Sequence, residues 1–466
     1  MAGGNSPTQR AQSSGAGMQG AAGNVVQTCP KVTLEIGVFF DGTGNNTSNA
    51  NQGGGGGSYG NARSNVSLLH ELYKNGDMFT EMAPCGSPAV KYASIYMQGI
   101  GTVSGGWDKN PFTVTGAGLG MGPQGVESRV YEACLKVGTE ITRLSPRVEP
   151  LEIILDVFGF SRGAAAARYF VNCFRQGFVE YYAYYADKRR AYLPKGRKVR
   201  IRYVGIFDTV AAVGRGTNDD NGDVNVHVSA AQANRIWHLT AKNEYRENFR
   251  LNENLPGGGS TRSLPGAHSD VGGGYRSKGD NTVVGKSRSQ VFRTRAEADA
   301  ARARAAAAAT TARGSRTNFW VREGWIRANE PTGGLVNTPT PVRTQVVYGM
   351  MGSSQVLYTF ESGERLNRPW VLPGLSRIPL RMMYEDAKKT DVPFTSFPSG
   401  TEFTPPAALQ ALAPGMAMGG PTPAADKVRE MLRNYGHVSS NYDSIGMSPD
   451  VNFIRVTYPN KPGEAK

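Results

Sequence analysis

The sequence predicts an α/β fold with a mostly parallel sheet, helices on both of its faces, and loop and helical insertions. Apolar stretches of strand length end in polar or glycine-containing turns, and segments with a helical apolar period separate them. This alternation of strands and helices is typical of parallel β-α-β units. The 466 residues include 59 glycines and 27 prolines, which indicates many loops between the elements.

The first two predicted strands lie in the N-terminal quarter of the chain. "KVTLEIGVFFDGTGNN" predicts a buried strand that stops at Asp41 and Gly42, and "AVKYASIYMQGIGT" predicts a second strand that ends in a glycine turn. Between them, Val66, Leu69 and Tyr73 recur at helical spacing. These segments form the first strand–helix–strand unit of the predicted sheet.

A long amphipathic helix is predicted before the central strand. In "GPQGVESRVYEACLKVGTEITRL" the apolar residues recur in steps of three and four and form one face: Val126, Val130, Ala133, Val137, Ile141 and Leu144. We then expect a buried strand at 151–158, a helix from about Arg162 to Tyr185, and an apolar strand that ends at Asp208. These elements extend the parallel sheet.

A serine between two glycines lies where the central strand meets the following helix. In "DVFGFSRGAAAAR", Gly159, Ser161 and Gly163 form the Gly-x-Ser-x-Gly motif that presents a nucleophilic serine on a sharp turn in α/β-hydrolases. A buried strand before the motif and an alanine-rich helix after it are the context that the motif requires, which disfavours a chance occurrence. Ser161 is therefore the predicted nucleophile of an α/β-hydrolase-like fold.

A serine nucleophile needs a histidine base and an acid, and in this fold the acid precedes the histidine in the chain. His268 lies downstream of Ser161 in the glycine-rich loop "LPGAHSDVGGGY" and is the predicted base. Asp208 ends a predicted strand between these two residues and is the favoured acid, with Asp270 as the alternative. Asp156, inside the strand before the serine, is expected to have a structural role.

Backbone amides near the serine are the expected donors to an oxyanion. The first turn of the helix directs the Arg162 amide toward Ser161. The turn "DGTG" after the first strand supplies the amide of Gly42 or Thr43 as the second donor. The Asp41 carboxylate in the same turn opposes a developing negative charge unless it points away. This chemistry requires no cofactor.

Whole-chain composition limits the function classes. The net charge of +14 indicates either an ordinary basic surface or an anionic partner such as lipid head groups, nucleic acid or an acidic protein. The four widely separated cysteines, without a C-x-x-C pair, predict no metal site, and Cys134 and Cys173 lie in helical apolar patterns. The sequence shows neither a secretory signal nor an apolar run of membrane-spanning length, so we expect synthesis in the cytoplasm without a signal peptide.

Shifts in composition predict four parts of the chain. Residues 1–30 are rich in glycine and polar residues, which is typical of a disordered arm, and residues 31–280 contain the hydrolase core. Residues 281–320 form an insertion in which "RTRAEADAARARAAAAATTARG" predicts a basic helix that faces either solvent or a membrane or partner. Residues 321–466 complete the hydrolase domain and its tail, with another helix in "LSRIPLRMMYEDAKKTDVPF".

Several sequence blocks resemble a known family. "GVFFDGTGNN", "DVFGFSRGAAAAR", "YVGIFDTVAAVG" and "LPGAHSDVGGGY" are similar to signature blocks of the α/β-hydrolase domain in type VI secretion phospholipase effectors of the first lipase class. "YMQGIGT", "HLTAKNEYRENF" and "IPLRMMYEDAKKTDVPF" resemble further blocks. The resemblance covers roughly Val32 to Thr395, with the alanine- and arginine-rich segment as an insertion.

The resemblance implies an antibacterial enzyme that a type VI system delivers into the periplasm of a rival cell. It implies membrane phospholipid as substrate, a spike or tube protein and an immunity protein as partners, and Ser161 and His268 as nucleophile and base. Two other functions remain open. A cytoplasmic serine esterase for small soluble esters would use the same residues, whereas a non-catalytic basic protein would bind an acidic partner. The chain has no interleaved aromatic and basic pattern for stacking bases, so nucleic acid is not an expected partner.

Overall fold

A computed structural model describes most of the chain. The described residues are 32–76, 89–106, 108, 120–145, 150–182, 188–192, 198–214, 221, 224–276, 278–285, 288–311, 319–336, 339–348, 354–416, 420–444 and 446–462. The predicted N-terminal arm, Cys29 and Cys85 lie outside these residues.

Sixteen strands are assigned within the described residues. They are β1 (Val32–Phe40), β2 (Ala89–Met97), β3 (Glu152–Phe160), β4 (Phe178–Tyr182), β5 (Lys188–Tyr192), β6 (Val199–Phe207), β7 (Arg235–Ala241), β8 (Leu251–Asn252), β9 (Ser260–Leu264), β10 (Asp280–Val283), β11 (Arg288–Phe292), β12 (Gly334–Val336), β13 (Arg343–Tyr348), β14 (Ser354–Ser362), β15 (Arg365–Arg368) and β16 (Thr457–Tyr458).

Helices lie between some of these strands, although in the described part of the chain β4 to β9 follow one another without an intervening α-helix. The α-helices are α1 (Thr47–Gln52), α2 (Asn65–Leu72), α3 (Val126–Leu144), α4 (Arg162–Gln176), α5 (His268–Gly272), α6 (Arg295–Thr311), α7 (Arg377–Lys388), α8 (Ala407–Leu412) and α9 (Ala425–Tyr435). Short 3₁₀ turns lie at Gly57–Gly60, Gly122–Gln124 and Ala230–Gln232.

The central sheet has six strands in the order β2-β1-β3-β6-β7-β9. Each neighbouring pair in it is parallel. The predicted parallel sheet is therefore confirmed. Smaller sheets, β10-β15-β12 and β11-β14-β13, come from the part of the chain after the core, and β16 pairs in parallel with β8.

Both faces of the central sheet are covered, which explains why β1 and β3 are almost continuously apolar. Alternate residues of the strands point to opposite faces. Leu155 and Val157 pack in the core beneath α3 and α4, whereas Phe158 and Phe160 pack with α2 and α7 on the other face. Because full burial of one such side chain contributes about 1.5–3 kcal/mol, these two layers hold the central strands in place.

The elbow helix ends earlier than the sequence predicts. It stops at Gln176 rather than near Tyr185, and β4 begins at Phe178. Gly177 adopts a left-handed conformation with φ of 83° and donates its N–H to the carbonyl of Cys173. That C-cap closes the helix, so the helical extension predicted from composition is wrong.

The predicted insertion at 281–320 contains β11 and helix α6, and its alanine-rich sequence has high helix propensity. Its boundaries, like those of the other predicted parts, remain predictions. Cys134 and Cys173 are buried free thiols, as their apolar patterns indicate. Within the described ranges, the structure contains no helix with the length and apolarity needed to cross a bilayer.

Candidate active site

Ser161 lies at the tight turn between β3 and α4. Its backbone has φ of 58° and ψ of −128°, a conformation that L-residues rarely adopt. The Ser161 amide donates to the carbonyl of Phe207, and the Ser161 carbonyl accepts from Val210, so the turn is attached to the end of β6. The hydroxyl does not cap α4, which leaves it available for reaction.

The glycines on either side of Ser161 allow two backbone segments to approach closely. A Cβ atom at Gly159 would lie 2.5 Å from the carbonyl oxygen of Gly163. A Cβ at Gly163 would lie 2.3 Å from the carbonyl oxygens of both Phe40 and Asp41. The elbow therefore needs glycine at both positions, because Gly159 of β3 lies too close to the first turn of α4, and Gly163 of α4 lies too close to the end of β1.

Asp208 follows the last residue of β6 and is fully buried. Its backbone also has a positive φ, 42°, and its amide donates to the carbonyl of Leu239. The carboxylate accepts hydrogen bonds from the Ala241 amide and from the Arg455 guanidinium, the latter at 2.7–2.9 Å. It also binds the ring of His268. Four separate chain segments thus meet at this one acid.

His268 is the first residue of α5 and is 4% exposed. Its Nδ1 lies 2.5 Å from Oδ2 of Asp208, and its amide donates to Glu244. Its ring packs 4.6 Å from the ring of Phe160, the residue before Ser161, and 5.0 Å from the ring of Phe249. These contacts place the imidazole beside the elbow.

No hydrogen bond among the described residues joins Oγ of Ser161 to His268. Such bonds are often long in the absence of substrate and tighten as the reaction begins. The imidazole of His268 packs against the ring of Phe160, the residue next to Ser161.

The charges around His268 favour a neutral imidazole beside an ionised acid. Burial lowers the pKa of His268, although the hydrogen bond and charge of Asp208 oppose this. Burial alone would raise the pKa of Asp208, but the charge of Arg455 and the hydrogen bond from His268 hold it well below its usual range. The pair is suited to general-base catalysis near neutral pH.

The second candidate acid, Asp270, contacts a different histidine. Its Oδ1 lies 2.9 Å from Nδ1 of His437, and its Oδ2 accepts from the amides of His437 and Ala267. The ring of Tyr275 stacks on His437 at 4.2 Å. Asp270 therefore anchors the start of α5 to the C-terminal part of the chain, whereas Asp208 contacts the ring of His268.

The candidate oxyanion amides lie around the same turn, but they differ in their existing bonds. The Gly42 amide donates to its neighbour Asp41 at 2.7 Å, and Tyr96 donates to the other oxygen of that carboxylate at 2.5 Å. Within the described part of the chain, the Thr43 amide has no acceptor. The Nε of Arg162 donates to the Thr43 hydroxyl at 2.8 Å, so the side chains of these two candidate residues are in contact.

Asp156 takes no part in this arrangement. It is buried within the sheet, where Arg202 donates to both of its oxygens and Tyr73 donates to one of them. The structural role expected from its place inside β3 agrees with these contacts.

Sequence reasoning missed three charged residues around the acid–histidine pair. Glu244 accepts a hydrogen bond from the His268 amide and pairs with Arg246. Burial raises the pKa of Glu244, but the charge of Arg246 outweighs this effect and the pKa falls to about 2. Arg455 binds Asp208. The block "HLTAKNEYRENF" pointed to the first two without assigning a role, but nothing in the local sequence around Arg455 marks it.

No cluster of three or more histidine, cysteine, aspartate or glutamate side chains in the described ranges could hold a metal ion. The chemistry available at the elbow is that of a hydroxyl, an imidazole and a carboxylate, together with backbone amides.

Comparison with known proteins adds a family and a fold. Residues 175–293 match the family model described as the catalytic domain of Tle1-like phospholipase effectors of the type VI secretion system. This match includes Asp208 and His268 and begins after Ser161. It confirms the resemblance to type VI secretion phospholipase effectors that the sequence blocks indicate. No curated protein matches the chain.

Similar solved structures include the following two. The structure of the Tle1 effector bound to the VgrG spike from the type 6 secretion system has a TM-score of 0.60 and 22% identity, covering 92% of this chain and 94% of that chain. An uncharacterized protein from Pseudomonas aeruginosa has a TM-score of 0.46 and 18% identity, covering 87% of this chain and 53% of that one. The first likeness confirms the α/β-hydrolase-like fold.

Proposed function

We propose that this chain is a phospholipase effector of a type VI secretion system, in which Ser161, His268 and Asp208 hydrolyse acyl esters. The observation that carries the proposal is the 2.5 Å contact between Nδ1 of His268 and Oδ2 of Asp208 beside the strained turn of Ser161. A nucleophile on such a turn, a neutral histidine and a buried acid are the components of acyl transfer by a serine hydrolase.

In the proposed reaction, Oγ of Ser161 attacks the acyl carbonyl carbon and its proton passes to Nε2 of His268. Asp208 holds the Nδ1–H tautomer and stabilises the imidazolium that forms. The bond from the carbonyl carbon to the alcohol oxygen then breaks, and the leaving alcohol takes the proton from His268. Water repeats these steps on the acyl-enzyme, which releases a fatty acid and restores the Ser161 hydroxyl.

Backbone amides around the elbow would stabilise the tetrahedral oxyanion. The Thr43 amide and the Arg162 amide at the start of α4 are the favoured donors, since the Gly42 amide already donates to Asp41. Removing one such donor in a serine hydrolase costs about 10²–10³ in kcat, so this part of the site supplies much of the rate. Gly42 contributes chiefly through its lack of a side chain, because a Cβ there would meet the ring of Phe160 at 2.4 Å.

A phospholipid substrate is supported by the charge of the chain and by the family match. The net charge of +14 favours an anionic membrane surface, where each Lys or Arg near the surface contributes about 1 kcal/mol of attraction. The family model that matches residues 175–293 is one of phospholipase effectors. We propose cleavage of an acyl ester, as by a phospholipase A.

Delivery by a contractile secretion system is supported by the same comparisons. The similar Tle1 effector was solved bound to a VgrG spike, which supports a spike protein as a partner of this chain. We propose that the spike carries the enzyme into the periplasm of a target cell, where it damages the membrane as an antibacterial toxin. The producing cell would then need an immunity protein that blocks the site.

Covalent labelling tests the nucleophile. The wild-type chain, S161A and the control S289A, which alters an exposed serine of β11, are treated with a fluorophosphonate probe and mapped by mass spectrometry. We expect labelling at Ser161 in the wild type and in S289A and none in S161A. A label on another residue, or an unlabelled wild type, would refute the proposed mechanism.

Product analysis tests the substrate. The same three proteins are incubated with vesicles of mixed bacterial phospholipids and, separately, with a monomeric short-chain ester. The proposal predicts release of fatty acid from vesicles by the wild type and S289A only. Fast turnover of the short-chain ester without release from vesicles would instead favour a small-ester esterase, and binding of DNA without either activity would favour a basic binding protein.

A further inference from the structure

A C-terminal segment, residues 437–458, contacts both the acid and the histidine loop of the candidate site. At its start His437 binds Asp270, and near its end β16 pairs in parallel with β8. Between these points Ser439 donates to Glu244, the residue that accepts the amide of His268. The position of the predicted base therefore depends on contacts far along the chain.

Arg455 makes the most direct of these contacts. Its two terminal nitrogens lie 2.7 Å from Oδ1 and 2.9 Å from Oδ2 of Asp208. In addition, Nε donates to the carbonyl oxygen of Phe249 at 2.7 Å, and Nη1 donates to that of Ala241 at 3.1 Å. The side chain is 7% exposed, so this is a desolvated, fork-shaped pair rather than a surface ion pair.

We propose that Arg455 is a positioning residue that orients the Asp208 carboxylate toward His268 and limits the proton affinity of the imidazole. This inference rests on the proposed function, since it assigns a role within the same reaction.

The geometry supports the orienting role. A carboxylate with a single partner can rotate about its Cβ–Cγ bond, but a planar guanidinium bonded to both oxygens fixes the carboxylate plane. The Ala241 amide holds Oδ1 from a third direction, at 2.8 Å. Oδ2 is thereby directed at Nδ1 of His268, the orientation that selects the tautomer with a lone pair on Nε2.

The positive charge of Arg455 supports its second proposed role, which is to limit the proton affinity of the His268 imidazole. An unpaired buried carboxylate would strongly stabilise the imidazolium, and a histidine that stays protonated cannot act as a base. Arg455 offsets that negative charge. Among the described residues, the other charged groups around His268 are Glu244 and Arg246, which pair with each other, and Asp270 on the same helix, which pairs with His437. Arg455 is thus the group that compensates Asp208 directly.

Three variants of the full chain separate these roles. R455M removes the charge and the fork, R455K keeps the charge but cannot bind both oxygens in the same plane, and R365M is the matched control. Arg365 also pairs with an acid of the C-terminal segment, Asp443 at 2.7 Å, but this pair is 29% and 33% exposed and does not contact Asp208.

Steady-state kinetics on a soluble ester are measured across pH, and the midpoint of His268 is followed by NMR of isotope-labelled histidine. For R455M we expect kcat to fall by up to about 100-fold with KM unchanged. We also expect the acid limb of kcat/KM and the NMR midpoint of His268 to move to higher pH. R455K should lose kcat by a smaller factor while both midpoints stay near the wild-type value, and R365M should match the wild type throughout.

An unchanged His268 midpoint in R455M, or a wild-type kcat in R455K, would overturn the inference. If R455M does not fold, R455K decides the orienting role by its kcat. The NMR midpoint does not depend on ester turnover. A wild type that hydrolyses no ester therefore refutes the proposed function, while the comparison of His268 midpoints still tests the effect of Arg455.

Discussion

Asp270 lies two residues from His268 along the chain, yet its carboxylate binds His437, with 2.9 Å between Oδ1 and Nδ1. The ring of His268 is bound instead by Asp208, 60 residues earlier in the sequence. Helix α5 thus contributes one residue to each of two aspartate–histidine pairs. The first contacts the elbow through the packing of His268 on Phe160, and the second connects the helix to the C-terminal segment.

The two acids should therefore respond differently to substitution. We expect D208N to lower kcat by about 10⁴-fold, as loss of the acid does in a serine triad, because the wrong imidazole tautomer would face the serine. D270N should retain most of the wild-type kcat under conditions where it is folded. Ester hydrolysis by both variants, with circular dichroism to confirm folding, checks this. An active D208N together with an inactive folded D270N would reverse the assignment.

The activity should depend on pH through His268. Burial lowers its pKa below the ordinary value of 6.5, and only the neutral imidazole can accept the proton of Ser161. We expect kcat/KM to fall as the pH decreases from 7, with a midpoint below 6.5. The profile is measured on a soluble ester, and H437Q is a control that removes another buried histidine, His437, which contacts α5 through Asp270. A midpoint above 6.5 in both proteins would contradict the expectation.

Stability should depend on pH through His437. Burial acts to lower its pKa, but the charge and hydrogen bond of Asp270 outweigh it, so the pKa in the folded state is above 6.5. Protonation then stabilises the fold fully below pH 6.5, and the contribution is lost as the pH rises through the folded-state pKa.

We expect H437Q to lower the free energy of unfolding by about 1–3 kcal/mol at pH 6 and by less at pH 9. Urea denaturation of the wild type and H437Q at both pH values measures the difference. A difference that grows with pH would show that the sign is wrong.

The elbow glycines give a test of steric fit. In G163A the new Cβ would lie 2.3 Å from the carbonyl oxygens of Phe40, at the end of β1, and Asp41, which follows it, so this backbone must move and the Ser161 turn must distort. We expect loss of activity and a destabilisation of about 1–3 kcal/mol. G138A is the matched control because Gly138 lies inside α3 with no atom within 4 Å of its Cβ position.

Alanine at 138 should stabilise the protein by roughly 0.5–1 kcal/mol, since glycine in a helix has the larger conformational entropy in the unfolded chain. Urea denaturation and ester hydrolysis of both variants check these expectations. Wild-type activity in G163A would mean that the elbow tolerates a side chain.

Local patterns in the sequence were sufficient to predict the parallel sheet and the turn that carries Ser161. The alternation of apolar strands with amphipathic helices predicts the parallel sheet, because strand and helix periods are properties of consecutive residues. The motif at Gly159, Ser161 and Gly163 predicts the elbow for the same reason, since backbone sterics at a tight turn act between near neighbours. The one clear error, the end of the elbow helix, came from reading the apolar composition past Gly177, whose left-handed conformation stops the helix.

Only the tertiary structure decided which carboxylate faces which histidine. Asp208 and Arg455 are 247 residues apart, and no periodicity connects them. The sequence by itself determined that this chain folds around a serine at a strand-to-helix turn. The tertiary structure decided that Asp208 rather than Asp270 binds His268, because a parallel sheet and a returning C-terminal segment bring distant side chains within hydrogen-bonding distance after the chain has folded.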